Sequence, residues 1–221
     1  MDAEPDYLSS GDYIDSAHPA VIEFARETVG GERDPLKQAL ALYLAVRDRI
    51  AYEPYLDYTD MGTYRASDVL ALGRGFCVGK AALLAAAARA VGIPARTGYA
   101  DVQNHITSKR LQDLVQTNIF YWHSYTDLKL EGRWVKATPA FDAALCERAG
   151  LVPLEFDGRT DSLFQPFDAL GRKRMEYLAQ RGTYADVPAD EILASFRRHY
   201  PALIAVGIPE GDFAAEAHGA E

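Results

Sequence analysis

Apolar residues recur at helical spacing along the first part of the chain, and this pattern predicts a series of helices separated by breaks. Asp34 followed by Pro35 supplies an N-cap and a first helical residue. The alanine-rich run after Cys77 also favours helix strongly. The predicted helices run from Pro19 to the Gly30–Gly31 break, over 35–50, from a Ser67 cap to Leu72, and from Cys77 to Val91.

The middle of the chain changes to patterns that are typical of strands. Aromatic and β-branched residues over 119–130 and 133–137, joined by a Glu131–Gly132 turn, predict a β-hairpin. A further strand is expected over 96–102, and the polar stretch 103–117 is predicted to be a loop. Toward the C-terminus the pattern predicts helices over 143–149, near 168–181 and near 188–199.

Helices that come first, followed by an antiparallel sheet, are typical of an α+β fold and not of a parallel α/β fold. With 221 residues, the chain suits one domain with a small appendage. We therefore expect N-terminal helices packed on an antiparallel β-sheet. The predicted core domain covers 1–150, and 151–221 is predicted to be a loop and helical extension packed on that core.

The net charge of −9 makes phosphate backbones and anionic membranes poor partners. The N-terminus lacks the apolar segment of a secretory signal, and the most apolar stretch, 81–91, is too short to cross a bilayer. We therefore expect a cytoplasmic protein that binds neither nucleic acid nor membranes. Its two cysteines, Cys77 and Cys146, are then expected to be free thiols. No cysteine or histidine spacing predicts a metal site, and no cofactor is expected.

The glycine-rich segment GRGFCVGKA around Cys77 allows three interpretations. A phosphate-binding loop requires four residues between its glycines and a hydroxyl after its lysine, whereas Gly75 and Gly79 enclose three and Ala81 follows Lys80. A dinucleotide-binding fingerprint must follow a strand, but a helical pattern precedes this segment. The third interpretation is a reactive cysteine at a helix N-terminus, where unpaired amides and the helix dipole favour the thiolate. Taken alone, Cys77 is equally consistent with a buried structural cysteine.

A cysteine nucleophile needs a base within hydrogen-bond reach, and His123 lies inside the best-defined predicted strand. The two-residue turn puts residue 123 opposite residue 140. His123 then has Thr138 and Asp142 as diagonal neighbours, and the oxygen of either can accept an imidazole N–H. A strand histidine without any role is the alternative, and the combination with Cys77 favours the base. The opposite face of the predicted hairpin is apolar and consists of Phe120, Trp122, Leu128, Leu130, Val135, Ala137 and Phe141.

The runs GFCVGKAALLAAAARAVGIPAR and YWHSYTDLKLEGRWVKATP resemble the transglutaminase-like superfamily of papain-type folds. The resemblance covers roughly residues 50–142. It implies a papain/transglutaminase-like core in which Cys77 is the nucleophile and His123 is the base. Thr138 stands where the family usually has Asp, between a tryptophan and a proline. A hydroxyl at Thr138, or the carboxylate of Asp142, would then orient the imidazole.

The pair and the resemblance together predict a transglutaminase-like cysteine hydrolase or acyltransferase that acts on a peptide or another amide substrate. The alternative is a catalytically weak or inactive peptide-binding or scaffold protein on the same fold, which the hydroxyl of Thr138 favours. A strongly lowered pKa of the Cys77 thiol would favour the enzyme, and a pKa close to that of free cysteine would favour the binding protein. Cys146 is expected to be a packed structural thiol.

Overall fold

The computed structural model describes residues 6–104, 107–164 and 175–216. Its helices are Pro19–Val29 (α1), Pro35–Arg49 (α2), Ala66–Leu72 (α3), Cys77–Ala90 (α4), Lys109–Val115 (α5), Ala143–Arg148 (α6), Ala189–His199 (α7), Pro201–Val206 (α8) and Phe213–Glu216 (α9). Its strands are Ala51–Tyr52 (β1), Arg74–Gly75 (β2), Ala95–Asn104 (β3), Ile119–Leu130 (β4), Arg133–Ala137 (β5) and Met175–Tyr184 (β6).

The main sheet has the strand order β5-β4-β3-β6, and every neighbouring pair is antiparallel. β1 and β2 form a separate parallel pair just before α4. Helix α4 packs against β3 and β4, and α1, α2 and α3 pack around α4. The expected α+β class, with N-terminal helices on an antiparallel sheet, is therefore confirmed.

Helix α4 is the centre of the core, since every residue from Val78 to Arg89 is buried. Alanine side chains make this burial possible because they let the neighbouring helices and the sheet approach closely. The hydroxyl of Thr126 on β4 donates to the carbonyl oxygen of Ala81 at 2.8 Å. The sheet therefore contacts the main chain of the helix directly, and the position of α4 along β4 is fixed.

Lys80 is fully buried in the first turns of α4 and connects this helix to the end of α2. Its ammonium donates to the carbonyl oxygens of Arg47 and Ile50 at 2.9 and 2.5 Å. These carbonyls lie where α2 ends and have no partner within that helix. Burial lowers the pKa of Lys80 to about 7. The lysine of the GRGFCVGKA segment is thus a structural residue that caps a neighbouring helix.

The predicted hairpin is confirmed, with left-handed backbone at both residues of the Glu131–Gly132 turn. Strand β5 ends at Ala137, so the predicted pairing of His123 with Ala140 does not form. Pro139 has no N–H to donate to a ladder, which is consistent with the strand ending before it.

The loop predicted over 103–117 is wrong for its central residues, which form α5. Ser108 is the N-cap of this helix, and its hydroxyl accepts from the amide of Leu111 at 3.0 Å. Leu111 and Val115 lie one turn apart and are both buried. Helix α3, in contrast, begins at Ala66 with no side-chain cap, one residue before the predicted Ser67 cap.

The helix predicted near 168–181 is wrong from residue 175 onward, and 168–174 lie outside the described residues. Met175–Tyr184 form β6, an edge strand that pairs with β3. A strand is favoured here because the open edge of β3 offers backbone hydrogen bonds that local helix preference does not outweigh. This strand follows the boundary predicted between residues 150 and 151 and belongs to the main sheet. The domain division itself stays a prediction.

Gly79 allows the tight packing of the first turn of α4, and its replacement tests that packing. A Cβ at Gly79 would lie 2.7 Å from Cγ2 of Val69 and 2.8 Å from the carbonyl oxygen of Thr63. We expect Gly79→Ala to lower the free energy of unfolding by about 1–3 kcal/mol, measured by urea denaturation. Gly31→Ala is the matched control, since its Cβ would meet nothing within 4 Å. Equal stability of the two variants would contradict the close approach.

Candidate active site

Cys77 is the first residue of α4, and its side chain is partly exposed to solvent. Phe76 precedes it as an N-cap without a side-chain hydrogen bond, so the first amides of the helix have no side-chain acceptor there. The amides of Ser124, Val78 and Cys77 lie close enough to the sulfur to lower its pKa. Cys77 therefore lies at a helix N-terminus, as predicted, and backbone N–H donors are close to its sulfur.

Burial outweighs these amides and raises the pKa of the Cys77 thiol to about 11. The expectation that the helix N-terminus favours the thiolate is thus wrong in its net effect. Desolvation penalises a thiolate more than three neutral amide dipoles stabilise it. At neutral pH the sulfur is a protonated thiol in this conformation.

His123 lies on β4, where it pairs with Ala100 of β3, and its imidazole is buried. The ring packs near the rings of Phe164 and Tyr177, at centroid distances of 6.0 and 6.2 Å. Burial lowers the pKa of His123 to about 4, so the imidazole is neutral at pH 7. Within the described residues its Nε2 atom has no hydrogen-bond partner.

Cys77 and His123 line the same narrow cavity, which has a volume of about 50 Å³. This volume is large enough for a few water molecules or for one unbranched side chain or acyl chain. It is too small to accept part of a folded protein. The cavity lies among β3, β4, the start of α4 and the C-terminal helices. Its lining consists of Tyr52, Pro54, Tyr58, Phe76, Cys77, Val102, Asn104, Leu111, Val115, Phe120, Tyr121, His123, Phe141, Met175, Phe196, Tyr200 and Leu203.

A β-bulge in β4 lies immediately before His123. Its register with β3 shifts by one residue between the pairs Ala100↔His123 and Val102↔Phe120. Trp122 lies inside this bulge with a φ of 62°, a left-handed conformation that is unusual for a bulky residue.

Asp101 supports the strained residue of this bulge. Its Oδ1 accepts from the amide of Trp122 at 3.2 Å. Arg181 on β6 donates to both carboxylate oxygens of Asp101, at 2.5 and 2.8 Å, and its guanidinium lies 4.7 Å from the Trp122 ring. An edge strand from the C-terminal region therefore supports the backbone next to His123.

The bulge corrects the predicted faces of the hairpin. Phe120 and Phe141 were expected on the apolar face opposite His123, but both line the cavity with it. The extra residue at the bulge reverses the alternation, so Phe120 points to the side of His123. Phe141 lies beyond the end of β5, where strand alternation no longer applies.

Asp142 takes a structural role in its described contacts. It is the N-cap of α6, with Oδ1 accepting from the amide of Leu145 at 2.8 Å. Its Oδ2 accepts from the amide of Tyr52 at 2.9 Å, which connects α6 to β1. None of its described hydrogen bonds reaches His123. The predicted role of Asp142 in orienting the imidazole therefore has no support from these contacts.

Thr138 is buried, and its hydroxyl has no hydrogen-bond partner within the described residues. Its carbonyl oxygen accepts from the hydroxyl of Tyr43 at 3.2 Å, which fixes its main chain. The unpaired Oγ1 of Thr138 and the unpaired Nε2 of His123 are both buried polar atoms. No hydrogen bond joins them, so the orienting role of Thr138 stays a prediction.

The model of the transglutaminase-like superfamily matches residues 22–139, just over half of the chain. The chain belongs to this superfamily. The match includes both Cys77 and His123 and ends one residue after Thr138. No curated protein matches the sequence significantly.

One solved structure with a similar fold is a "putative cysteine protease" from Cytophaga hutchinsonii. The two sequences are 18% identical, the TM-score is 0.49, and the match covers 84% of this chain and 49% of the other. The chain therefore spans about half the length of that protein.

Sequence reasoning missed the aromatic wall of the transglutaminase-like site. Phe196, Tyr200 and Leu203 of α7 and α8 line the cavity although they follow His123 by more than seventy residues. Tyr52 of β1 and Tyr58 also line the cavity. Only the amphipathic pattern of α7 could have indicated a helix that packs on the core. Cys146, as predicted, is a buried free thiol.

Within residues 6–104, 107–164 and 175–216, no helix is long and apolar enough to cross a membrane. Within the same ranges, no three His, Cys, Asp or Glu side chains are grouped so that they could hold a metal ion.

The raised pKa of Cys77 predicts how its alkylation depends on pH. A thiol with a pKa of about 11 stays protonated at pH 7, and its reactive thiolate form increases as the pH rises toward that value. We expect the iodoacetamide alkylation rate to rise about tenfold per pH unit between pH 7 and 10. Peptide mapping of the wild type and Cys77→Ala separates this signal from Cys146. A rate that is constant from pH 6 to 8 would instead indicate a thiolate–imidazolium pair.

Asp101 is expected to stabilise the bulge next to His123. Asp101→Ala leaves the amide of Trp122 and the guanidinium of Arg181 without this acceptor, and we expect a loss of about 1–3 kcal/mol in the free energy of unfolding. Asp113→Ala is the control, because Asp113 is exposed and pairs only with Lys109 one turn away on α5. Urea denaturation that gives the same midpoint for both variants would show that the bulge does not need this carboxylate.

Proposed function

We propose that this protein catalyses acyl transfer to water or an amine from a peptide-like amide or a related ester, with Cys77 as nucleophile and His123 as its base. The observation that supports the proposal is that both side chains line one narrow cavity in a chain of the transglutaminase-like superfamily. The residue Cys77 is partly exposed and lines this cavity, so we propose that a substrate carbonyl reaches the sulfur through it.

The pKa directions favour a reaction that starts from a neutral pair. The neutral imidazole accepts the thiol proton while the sulfur attacks the carbonyl carbon, so an isolated thiolate is not required. The S–C bond forms, the bond to the leaving group breaks, and the imidazolium returns the proton to the leaving group. Water or an amine then attacks the thioester, which regenerates the thiol and releases the acyl product.

The remaining groups of the proposed site are main-chain and hydroxyl groups. We assign the amide of Cys77, at the start of α4, as one donor to the developing oxyanion. Thr138 is the proposed orienting residue, because its hydroxyl and the Nε2 of His123 both lack partners among the described residues. A hydroxyl stabilises imidazolium less than a carboxylate does, so we expect a slower enzyme than one with Asp at this position.

The second candidate function is a peptide-binding or scaffold protein on the same fold. The raised pKa of Cys77 and the hydroxyl at position 138 favour it, because both weaken nucleophilic catalysis. Such a protein would retain the cavity and bind a ligand without forming an acyl-enzyme. Covalent turnover therefore distinguishes the two candidates.

Turnover of p-nitrophenyl acetate, a small activated acyl donor, tests the proposal. We expect Cys77→Ala to abolish protein-dependent release of p-nitrophenol and His123→Gln to lower kcat by about 100-fold or more. Cys146→Ala is the matched control and should stay within about twofold of the wild type, since Cys146 is buried away from the cavity lining. Mass spectrometry of the wild type after rapid acid quenching should show an acetyl group on Cys77. Release that persists in Cys77→Ala would refute the proposed nucleophile, whereas no protein-dependent release by the wild type would favour the binding protein.

A further inference from the structure

Among the described residues, the lining of the cavity contains no Asp, Glu, Lys or Arg. Eight of these described residues are Phe or Tyr, and six more are Pro, Val, Leu or Met. A charged group that enters such a cavity loses its hydration and finds no opposite charge among the described residues that line it. The composition of the lining therefore favours an uncharged and apolar occupant.

Two of the four tyrosines in the described lining have hydroxyls that are bonded to the main chain. The hydroxyl of Tyr58 donates to the carbonyl oxygen of Pro54 at 2.6 Å. The hydroxyl of Tyr200 donates to the carbonyl oxygen of Ile119 at 2.9 Å and accepts from the amide of Tyr121 at 2.7 Å. These hydroxyls are engaged with the main chain, so their rings are the surfaces that remain for an occupant.

Part of this apolar wall comes from outside the matched superfamily region. Phe196, Tyr200 and Leu203 belong to α7 and α8, whereas the match ends at residue 139. These residues are buried at 3–4% exposure, and α8 packs against α5, which supplies Leu111 and Val115 to the same cavity. The region that contains Cys77 and His123 and the C-terminal helices thus both contribute to the wall of the cavity.

We propose that the acyl group transferred by this protein is uncharged and apolar, an aliphatic or aromatic chain that occupies the cavity while its carbonyl carbon reaches Cys77. This inference rests on the proposed function and names its substrate class. The narrow volume admits one slender chain, and a carboxylate or ammonium at the end of that chain would find no partner of opposite charge among the described lining residues. The cavity therefore selects the substrate by its acyl group and not by its leaving group.

Four p-nitrophenyl esters test this inference, since three of them carry chains of six carbons that differ only at the far end. They are the hexanoate, the monoester of adipate with a terminal carboxylate, the 6-aminohexanoate with a terminal ammonium, and the acetate as the short reference. After subtraction of uncatalysed hydrolysis, we expect kcat/KM for hexanoate to exceed that for acetate by about 30-fold or more. The two charged esters should be turned over about 100-fold less efficiently than hexanoate.

Leu203→Ala tests whether the wall itself supplies the preference. We expect this variant to reduce the hexanoate-to-acetate ratio of kcat/KM by about threefold to tenfold, because it removes apolar contacts with the chain. Leu178→Ala is the control, since Leu178 lies on β6 with about half of its surface exposed and outside the lining. Circular dichroism spectra of both variants should match that of the wild type. If Leu203→Ala does not fold, Leu203→Val replaces it, and we expect a smaller decrease in the same hexanoate-to-acetate ratio.

The outcomes separate this inference from the proposed function. Turnover that depends on Cys77 but does not distinguish hexanoate from adipate, or prefers acetate, would overturn the apolar substrate class and leave the nucleophile intact. Absence of Cys77-dependent turnover with all four esters would overturn both proposals.

Discussion

The close packing of α4 against β4 is the constraint on which the rest of the structure depends. Its alanines are buried on all sides, and Thr126 of β4 donates directly to a carbonyl of the helix. A helix packed this closely cannot shift along the sheet without breaking that hydrogen bond and forcing contacts with its neighbours. The first turn of α4 is therefore fixed relative to β4, and with it the position of Cys77 relative to His123.

The same burial determines the protonation of the candidate site. Excluding water raises the pKa of Cys77 and lowers that of His123, so each residue is neutral at physiological pH. Three backbone amides near the sulfur partly oppose this effect but do not reverse it. The site thus places a thiol and an imidazole, both neutral, at one cavity with a mostly apolar described lining.

The elements that local sequence determines were the ones that could be predicted. The alanine run predicted α4, and the Glu131–Gly132 turn predicted the hairpin, because a helix and a two-residue turn depend mainly on neighbours in sequence. The bulge at Trp122 could not be predicted in this way. It depends on Asp101 of β3 and Arg181 of β6, which meet only after the sheet has formed. The edge strand β6 was missed for the same reason, since its partner β3 lies seventy residues earlier.

These long-range contacts explain why the candidate nucleophile and base could be named from the sequence while their surroundings could not. The residue types and spacing of a cysteine at a helix start and a histidine on a strand are local features. The wall formed by α7 and α8 and the support from Arg181 both come from beyond the region that matches the superfamily. A change in that C-terminal part would alter the shape and polarity of the cavity without replacing Cys77 or His123. Specificity can therefore diverge within this fold while the Cys77–His123 arrangement stays the same.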